Sequence, residues 1–367
     1  MLYAWTPQPG LNEPSYLWLG QCHKACTKLP AEIKRLNVSR PVLLCTPGKR
    51  HLTDQLSAII ENASLEVAGT FAHATVHTPV SVTERATAFL GPVSADCVVS
   101  IGGGSVVGLG KAISIRSGVP HSSIPTTYSG SEMTPILGET QNGIKTTRSD
   151  PKILPAVVIY DVDLTLTLPP IICSTSGINA IAHAVEALYA QNAKPITSIL
   201  ALEGIKALAE ALPQIVENPD SNAPRDQALY GAWLCGTVLG NSSMGLHHKI
   251  CHTLGGSFGL PHAETHTVLL PHPLSYNAPC ILDRMAKLAA VLPGSDGDAL
   301  KGLELLLGKL PVPRGLKDLG MKESDIEKAA QIATSNQYPN PRPLEHKWIL
   351  ELLRRAWAGE PAEATLQ

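Results

Sequence analysis

The chain changes its hydrophobic rhythm near Asp161, and this change restricts the possible folds more than any other feature. Before it, short β-rich runs alternate with helical patterns: residues 41–46, 66–71, 96–101, 119–124 and 156–160. Strands spaced by helical segments read as βαβ units on a parallel sheet. After Asp161 the strand signals stop. From 173 to 358 the chain reads as successive helices, among them 198–212, 225–239, 323–334 and 344–357, punctuated by Pro and Gly. The expected fold is therefore an α/β domain with a parallel sheet, residues 1–163, followed by an all-α domain, residues 164–367. A chain of 367 residues also exceeds what one core usually serves. A cleft between two domains is the expected place for a small-ligand site. No fixed period recurs, which excludes a solenoid.

Composition removes several classes of function. Charged residues make up 16% of the chain and hydrophobic ones 44%, against an average near 25% charged, so disorder is confined to the ends. The 29 Lys and Arg nearly balance the 31 Asp and Glu, and no basic run exists to track phosphates, which argues against nucleic acid. No apolar stretch reads as a membrane span, and the start, MLYAWTPQPGLNEP, lacks the pattern of a signal peptide. A soluble, cytoplasmic protein without membrane contact is expected. Eight cysteines (Cys22, Cys26, Cys45, Cys97, Cys173, Cys235, Cys251, Cys280) contain no CxxC pair and read as buried reduced thiols rather than a disulfide framework.

Residues 96–101 end in Gly102-Gly103-Gly104-Ser105, and a helix is expected from Val106. Glycines let backbone amides close on an anion, and a helix N-terminus adds partial positive charge, so a pyrophosphate suits this turn. The pattern is not G-x-G-x-x-G, because Val107 stands at the last position, and a structural strand-to-helix turn explains it equally well. A second turn, Pro125-Thr126-Thr127-Tyr128-Ser129-Gly130-Ser131-Glu132, follows the next strand. It offers hydroxyl donors, or alternatively an N-cap. Two such turns on neighbouring strand ends favour a ligand. After the first strand, Lys49 and Arg50 stand where NAD-specific enzymes often carry a carboxylate. They suit a 2'-phosphate, or are simply solvated.

Thirteen histidines are present, and their spacing is informative. Asn179 and His183 lie four apart, as do His248 and His252, so each pair shares a helix face. His247 adjoins the second pair, His262 follows Leu260-Pro261 at a loop or helix start, and His266 and His272 come after. Converging imidazoles suggest a divalent-metal site, but such a site also wants a carboxylate, and Asn179 is a neutral amide. The expectation is a polar cavity lined by imidazoles, suited to an anionic substrate.

With these residues in view, the chain resembles the iron-containing alcohol dehydrogenases. The pyrophosphate turn of that family matches Gly102, Gly103, Gly104 and Ser105; its Thr-Thr segment matches Thr126 and Thr127; its metal ligands, one Asp and three His, fall at Asn179, His183, His248 and His262. The strings TTYSGSEMTPILGET, SGINAIAHAVEALYA, YGAWLCGTVLG, LHHKICHTLGG, LPHAETHTVLLPH and NPRPLE resemble the maleylacetate reductase branch over about two-thirds of the chain. The first 90 residues diverge, with Trp18-Leu19-Gly20-Gln21-Cys22 where the branch tends to carry Phe-Gly-x-Gly. The resemblance implies an NADH- or NADPH-dependent reduction of maleylacetate, or a close 4-oxo-enoate, to 3-oxoadipate in aromatic-compound catabolism. It implies a small dicarboxylate as partner, a homodimer, and a cofactor site of the glycine turn, Thr126, Thr127, Ser129 and Lys145. His252 and His248 are the expected catalytic groups, with His183 and His262 holding carboxylates. No metal is expected, protonated histidines taking the Lewis acid's place. The alternatives are a metal-dependent alcohol dehydrogenase or carbonyl reductase, and a non-redox biosynthetic or binding homologue.

Overall fold

The computed structural model describes residues 2–5, 15–19, 24–142, 144–335 and 338–362. It divides into two compact units, Met1–Leu168 and Pro169–Gln367. The segment just after residue 160 stays with the first unit because its two aspartates are tied back into it. The Asp161 carboxylate accepts from the Cys26 amide at 2.9 Å, and that of Asp163 from the Lys24 amide at 3.0 Å.

The strands of the first unit are β1 (Leu2–Trp5), β2 (Ser15–Leu19), β3 (Pro41–Leu44), β4 (Gly69–Phe71), β5 (Cys97–Gly102), β6 (His121–Pro125), β7 (Ile136–Gln141), β8 (Ile144–Ser149) and β9 (Val157–Tyr160). Its helices are α1 (Leu29–Arg35), α2 (Arg50–Asn62), α3 (Val80–Leu90) and α4 (Gly104–Ser117). Seven strands form one sheet in the order β1-β2-β9-β6-β5-β3-β4, parallel throughout except for β1 against β2. All five expected strands are present.

Strands β3, β5, β6 and β9 are buried along their whole length, as parallel strands covered on both faces must be. Successive side chains alternate between the two layers. Leu43 and Val99 pack with Leu29 and Ile33 of α1 and Leu56 and Ile60 of α2. Val42, Leu44 and Val98 pack with Leu90 of α3 and with Val106, Leu109 and Ile113 of α4.

Two hairpins escaped the sequence reading. The pair β1 and β2 extends the sheet. The pair β7 and β8 stands apart, joined at Asn142, whose φ is 52°. The Asn142-Gly143 dipeptide is a hairpin signal, but the flanking runs carry too few apolar residues to read as strands.

The second unit is helical: α5 (Pro170–Leu188), α6 (Pro195–Glu217), α7 (Asn222–Asn241), α8 (Leu246–Phe258), α9 (His262–Leu269), α10 (Pro271–Asn277), α11 (Leu282–Val291), α12 (Ala299–Gly308), α13 (Ile326–Thr334) and α14 (His346–Ala358). Every residue of α5 from Cys173 to Leu188 is buried, and α6, α7 and α9 pack around it. By length and composition α5 could cross a membrane, contrary to the sequence reading, which overlooked it because Ser, Thr and Gly interrupt the apolar run. Here it is the core helix of a bundle, buried on all sides. A second apolar cluster joins Leu246, Ile250 and Leu254 of α8 to Val268 of α9, Ala330 of α13 and Leu353 of α14.

The described cysteines are all free, with only Cys280 exposed; Cys22 lies outside the described residues.

Helix α4 is seated on the sheet by a glycine contact. A Cβ on Gly110 would stand 2.3 Å from Nε2 of His121, and that buried ring is fixed by a 2.7 Å hydrogen bond to Ser100 Oγ. Gly110→Ala should therefore destabilise the protein by about 1–3 kcal/mol, the usual cost of overpacking, even though Ala gains about 1 kcal/mol of helix propensity. Thermal melts of the two proteins check this, and a raised melting temperature would refute it.

Candidate active site

The glycine turn and the hydroxyl turn leave the sheet side by side. Gly102 pairs with Pro125 at the carboxyl ends of β5 and β6, and the Thr126 amide donates to the Gly102 carbonyl at 3.1 Å. The strand order reverses between β3 and β5, and open α/β sheets bind ligands at such a switch point. Gly102 has φ 153°, a conformation that side chains rarely adopt. Gly103 caps α4 and has no side chain to bond the first-turn amides, which leaves them directed at an anion. A Cβ on Gly103 would meet Thr127 at 3.0 Å, and one on Gly104 would lie within 3.8 Å of Ser129 Oγ and Ser131 Oγ. The Ser131 hydroxyl is buried and has no hydrogen-bond partner. These features form a cradle that a pyrophosphate fits. Lys49 and Arg50 are exposed at the start of α2. Lys145 lies on β8 opposite Thr140, and its side chain is outside the described residues.

In the helical unit, α5, α8 and α9 bring a histidine cluster together. Asn179, His183 and Glu186 lie on one face of α5 at intervals of four and three residues, all buried. His183 Nδ1 is hydrogen-bonded to His248 Nε2 at 2.7 Å, and His248 Nδ1 meets the Glu186 carboxylate at 2.5 Å. That carboxylate also accepts from the His247 amide at 2.7 Å and the His248 amide at 3.3 Å, both in the first turn of α8. His247 Nε2 bonds His266 Nδ1 at 2.9 Å. His266 packs its ring 4.9 Å from that of His248 and 4.5 Å from that of His262, the first residue of α9. His252 is exposed at the rim, its ring 6.1 Å from His248 and stacked 6.3 Å from His262.

The local sequence explains the approach of α8 to α5. Gly245 precedes α8, and a Cβ there would stand 3.2 Å from the Pro339 carbonyl and 3.4 Å from Glu186 Oε1.

Burial sets the charge state of the inner rings. It holds His183 and His266 well below the usual imidazole range, helped by the neighbouring rings. His247 falls to about 3 through burial and the His248 charge, against the pull of Glu186. Burial alone would raise Glu186, but the His248 charge and hydrogen bond, with His247 and the Gly245 backbone, hold it at about 2. The inner cluster thus pairs neutral imidazoles with one buried carboxylate. His183, His247 and His266 can therefore each offer one N–H, not a cation. The inner rings bond to one another. A cavity of about 490 Å³ lies elsewhere in the unit, lined by Tyr189, Gln191, Arg284 and Asn340 among others, and no histidine lines it.

Family models for the iron-containing alcohol dehydrogenases match residues 20–162, and for the C-terminal part of that family residues 173–357. The chain belongs to the iron-containing alcohol dehydrogenase family. It is 51% identical to the maleylacetate reductase of Rhizobium sp. (strain MTP-10005) over 90% of this chain and 93% of the relative. It is 48% identical to that of Delftia acidovorans over 91% and 94%. The crystal structure of maleylacetate reductase from Agrobacterium tumefaciens superposes with TM-score 0.88 at 48% identity, covering 93% of this chain and 95% of the other. As a member of this family the chain is an oxidoreductase using a nicotinamide cofactor.

Ligand atoms of His183, His248 and His266 lie within 4.8 Å of one another, as do those of His247, Cys251 and His266. The first group lacks an anionic ligand. Asn179 offers only an amide oxygen, buried without a partner. His183 Nδ1 and His248 Nε2 are hydrogen-bonded at 2.7 Å. With Asn179 in place of a carboxylate, these rings are a poorer donor set for a divalent ion than one Asp and three His.

Sequence reasoning brought His183, His248, His252 and His262 to one place but passed over Glu186. Its signal was present, a carboxylate seven residues beyond Asn179 and three beyond His183. Nothing local distinguishes it, because its partner His248 lies 62 residues away.

Gly103→Val would fill the space beside Thr127. It should weaken NADH and NADPH binding about tenfold or more in a protein that still folds, measured by cofactor fluorescence titration beside circular dichroism. Unchanged affinity would remove this turn from the cofactor site.

Proposed function

We propose that this enzyme reduces maleylacetate, or a close 4-oxo-enoate, to 3-oxoadipate with NADH or NADPH and without a metal ion. The observation that carries the reading is the conjunction of a pyrophosphate cradle at Gly102 to Ser105 with a histidine cluster whose family Asp position holds Asn179. Similarity to maleylacetate reductases at 51% and 48% identity over about nine-tenths of the chain supports the substrate. When bound, the cofactor supplies a hydride. The amides at the start of α4, with the Thr127, Ser129 and Ser131 hydroxyls, hold its pyrophosphate.

The double bond of maleylacetate is conjugated to a ketone, so hydride addition at the far carbon places negative charge on the ketone oxygen as an enolate. Reaction completes when a proton reaches the carbon next to the ketone. Stabilising that oxygen and returning that proton are the protein's tasks. His252, exposed at the rim and able to exchange with water, suits the proton return. His248, expected from the sequence to share that task, has both ring nitrogens engaged by His183 and Glu186, so its part is to hold the neighbouring rings in place. His183 and His262 orient the substrate, and Asn179 gives a neutral polar contact in place of a metal ligand.

An assay following cofactor oxidation with maleylacetate tests the activity. Dialysis against a chelator should leave the rate unchanged, since Asn179 removes the family's anionic ligand. A loss restored by iron or zinc would favour a metal-dependent alcohol dehydrogenase instead.

His252→Ala should lower kcat by roughly two to four orders of magnitude while leaving cofactor affinity near the wild-type value. Steady-state kinetics paired with thermal melts would show this, and near-normal kcat in a folded variant would remove His252 from the mechanism.

A further inference from the structure

Strand β3 lies directly beside β5 in the sheet, with Leu44 level with Ser100. Carried on by two residues, that register sets Thr46 level with Gly102, one strand spacing of about 5 Å from the start of the glycine turn. Strand β6 flanks the turn on the other side. A dinucleotide whose pyrophosphate sits in the cradle therefore crosses the switch point with one nucleoside half toward each flank.

The two flanks differ in charge. On the β6 side, residues 126–131 supply hydroxyls and no cation. Three acceptors engage the buried Lys111 ammonium there, and the Glu132 carboxylate is buried against the Tyr160 hydroxyl. On the β3 side the chain runs Thr46-Pro47-Gly48-Lys49-Arg50-His51-Leu52-Thr53 before its first carboxylate, Asp54. A short 3-10 turn, Pro47–Lys49, brings Lys49 and Arg50 to the start of α2 with both side chains exposed and no acidic residue in the first turn. Among the described residues no ion pair or side-chain hydrogen bond engages either side chain.

NADH ends in a ribose with a free 2'-hydroxyl, which a carboxylate at a strand end binds, whereas the 2'-phosphate of NADPH needs positive charge. We propose that Lys49 and Arg50 form a 2'-phosphate subsite that makes NADPH the preferred reductant, with Thr46 where a carboxylate would select NADH. This subsite rests on the cofactor reading of the glycine turn and not on the identity of the substrate. The Arg50 fork can bond two phosphate oxygens, and Lys49 adds a point charge. Both stand in water, so salt screens their attraction.

Fluorescence titration of the wild-type protein with NADPH and with NADH reads the preference without substrate. NADPH should bind about tenfold or more tightly than NADH, and raising salt from about 0.05 to about 0.5 M should weaken NADPH more than NADH. The double substitution Lys49→Ala, Arg50→Ala should raise the Kd for NADPH about tenfold and leave that for NADH within about twofold. Thr46→Asp should shift the ratio of affinities toward NADH by about tenfold or more, with circular dichroism checking that each variant folds. Equal affinities in the wild type would overturn the proposal and leave the cradle standing, and so would an NADPH preference that survives the double substitution. If the double variant fails to fold, Thr46→Asp decides, and an unchanged ratio there overturns the proposal. Binding of neither cofactor by the wild type would defeat the cradle and the subsite together. A protein that prefers NADPH as expected but does not reduce maleylacetate would defeat the substrate reading alone.

Discussion

A buried carboxylate in a bundle core is expensive unless it is paired and hydrogen-bonded, and the helical unit is arranged around meeting that demand at Glu186. The compensation comes from an imidazole and from the start of a helix. Two first-turn amides of α8 converge on the carboxylate with His248 Nδ1, in a place where helix N-termini favour anions. To allow this, α8 must begin against α5, and Gly245 eases that close approach. The histidines follow from that arrangement. His247 and His248 stand at the start of α8, and α9 adds His262 and His266. The chemistry thus inherits its geometry from one electrostatic requirement.

The α/β unit solves a comparable problem with the opposite charge. Lys111 on α4 is buried, and its ammonium donates to the Ser131 carbonyl at 2.5 Å, to Thr134 Oγ1 at 3.0 Å and to the Ile136 carbonyl at 3.0 Å. Burial lowers it to about 7, and the Glu132 charge works against that shift. Glu132 is itself buried and raised by that burial, and it accepts from the Tyr160 hydroxyl at 2.7 Å. These bonds fix the far end of the turn that carries Thr127, Ser129 and Ser131. The helix that offers its N-terminus to a pyrophosphate therefore also anchors the neighbouring hydroxyl turn, and the two sides of the cradle hold a constant spacing.

The exchange of an anionic ligand for Asn179 changes what such a cluster does. With a carboxylate at that position, three imidazoles would face a cation. With an amide, the buried carboxylate beside the rings is that of Glu186, hydrogen-bonded to His248 Nδ1. Deep burial keeps the inner rings neutral, so the cluster works as a set of directed N–H and N groups rather than as a charged patch.

The sequence by itself determined the two-part architecture, because a parallel strand buried on both faces and a helix in a bundle differ in hydrophobic period, and period is a local property. It also determined the glycine turn, where Gly102 adopts a conformation closed to side chains, and the pairing of helical histidines four residues apart. The polar hairpin of β7 and β8 was hidden because pairing, not apolar content, makes its strands. Only the tertiary structure decided that Glu186 belongs with His248, since 62 residues separate them and no local pattern reports where two helices meet. It also decided which imidazoles are neutral, because burial depth is set by the packing of α5, α8 and α9 and not by the identity of the residue.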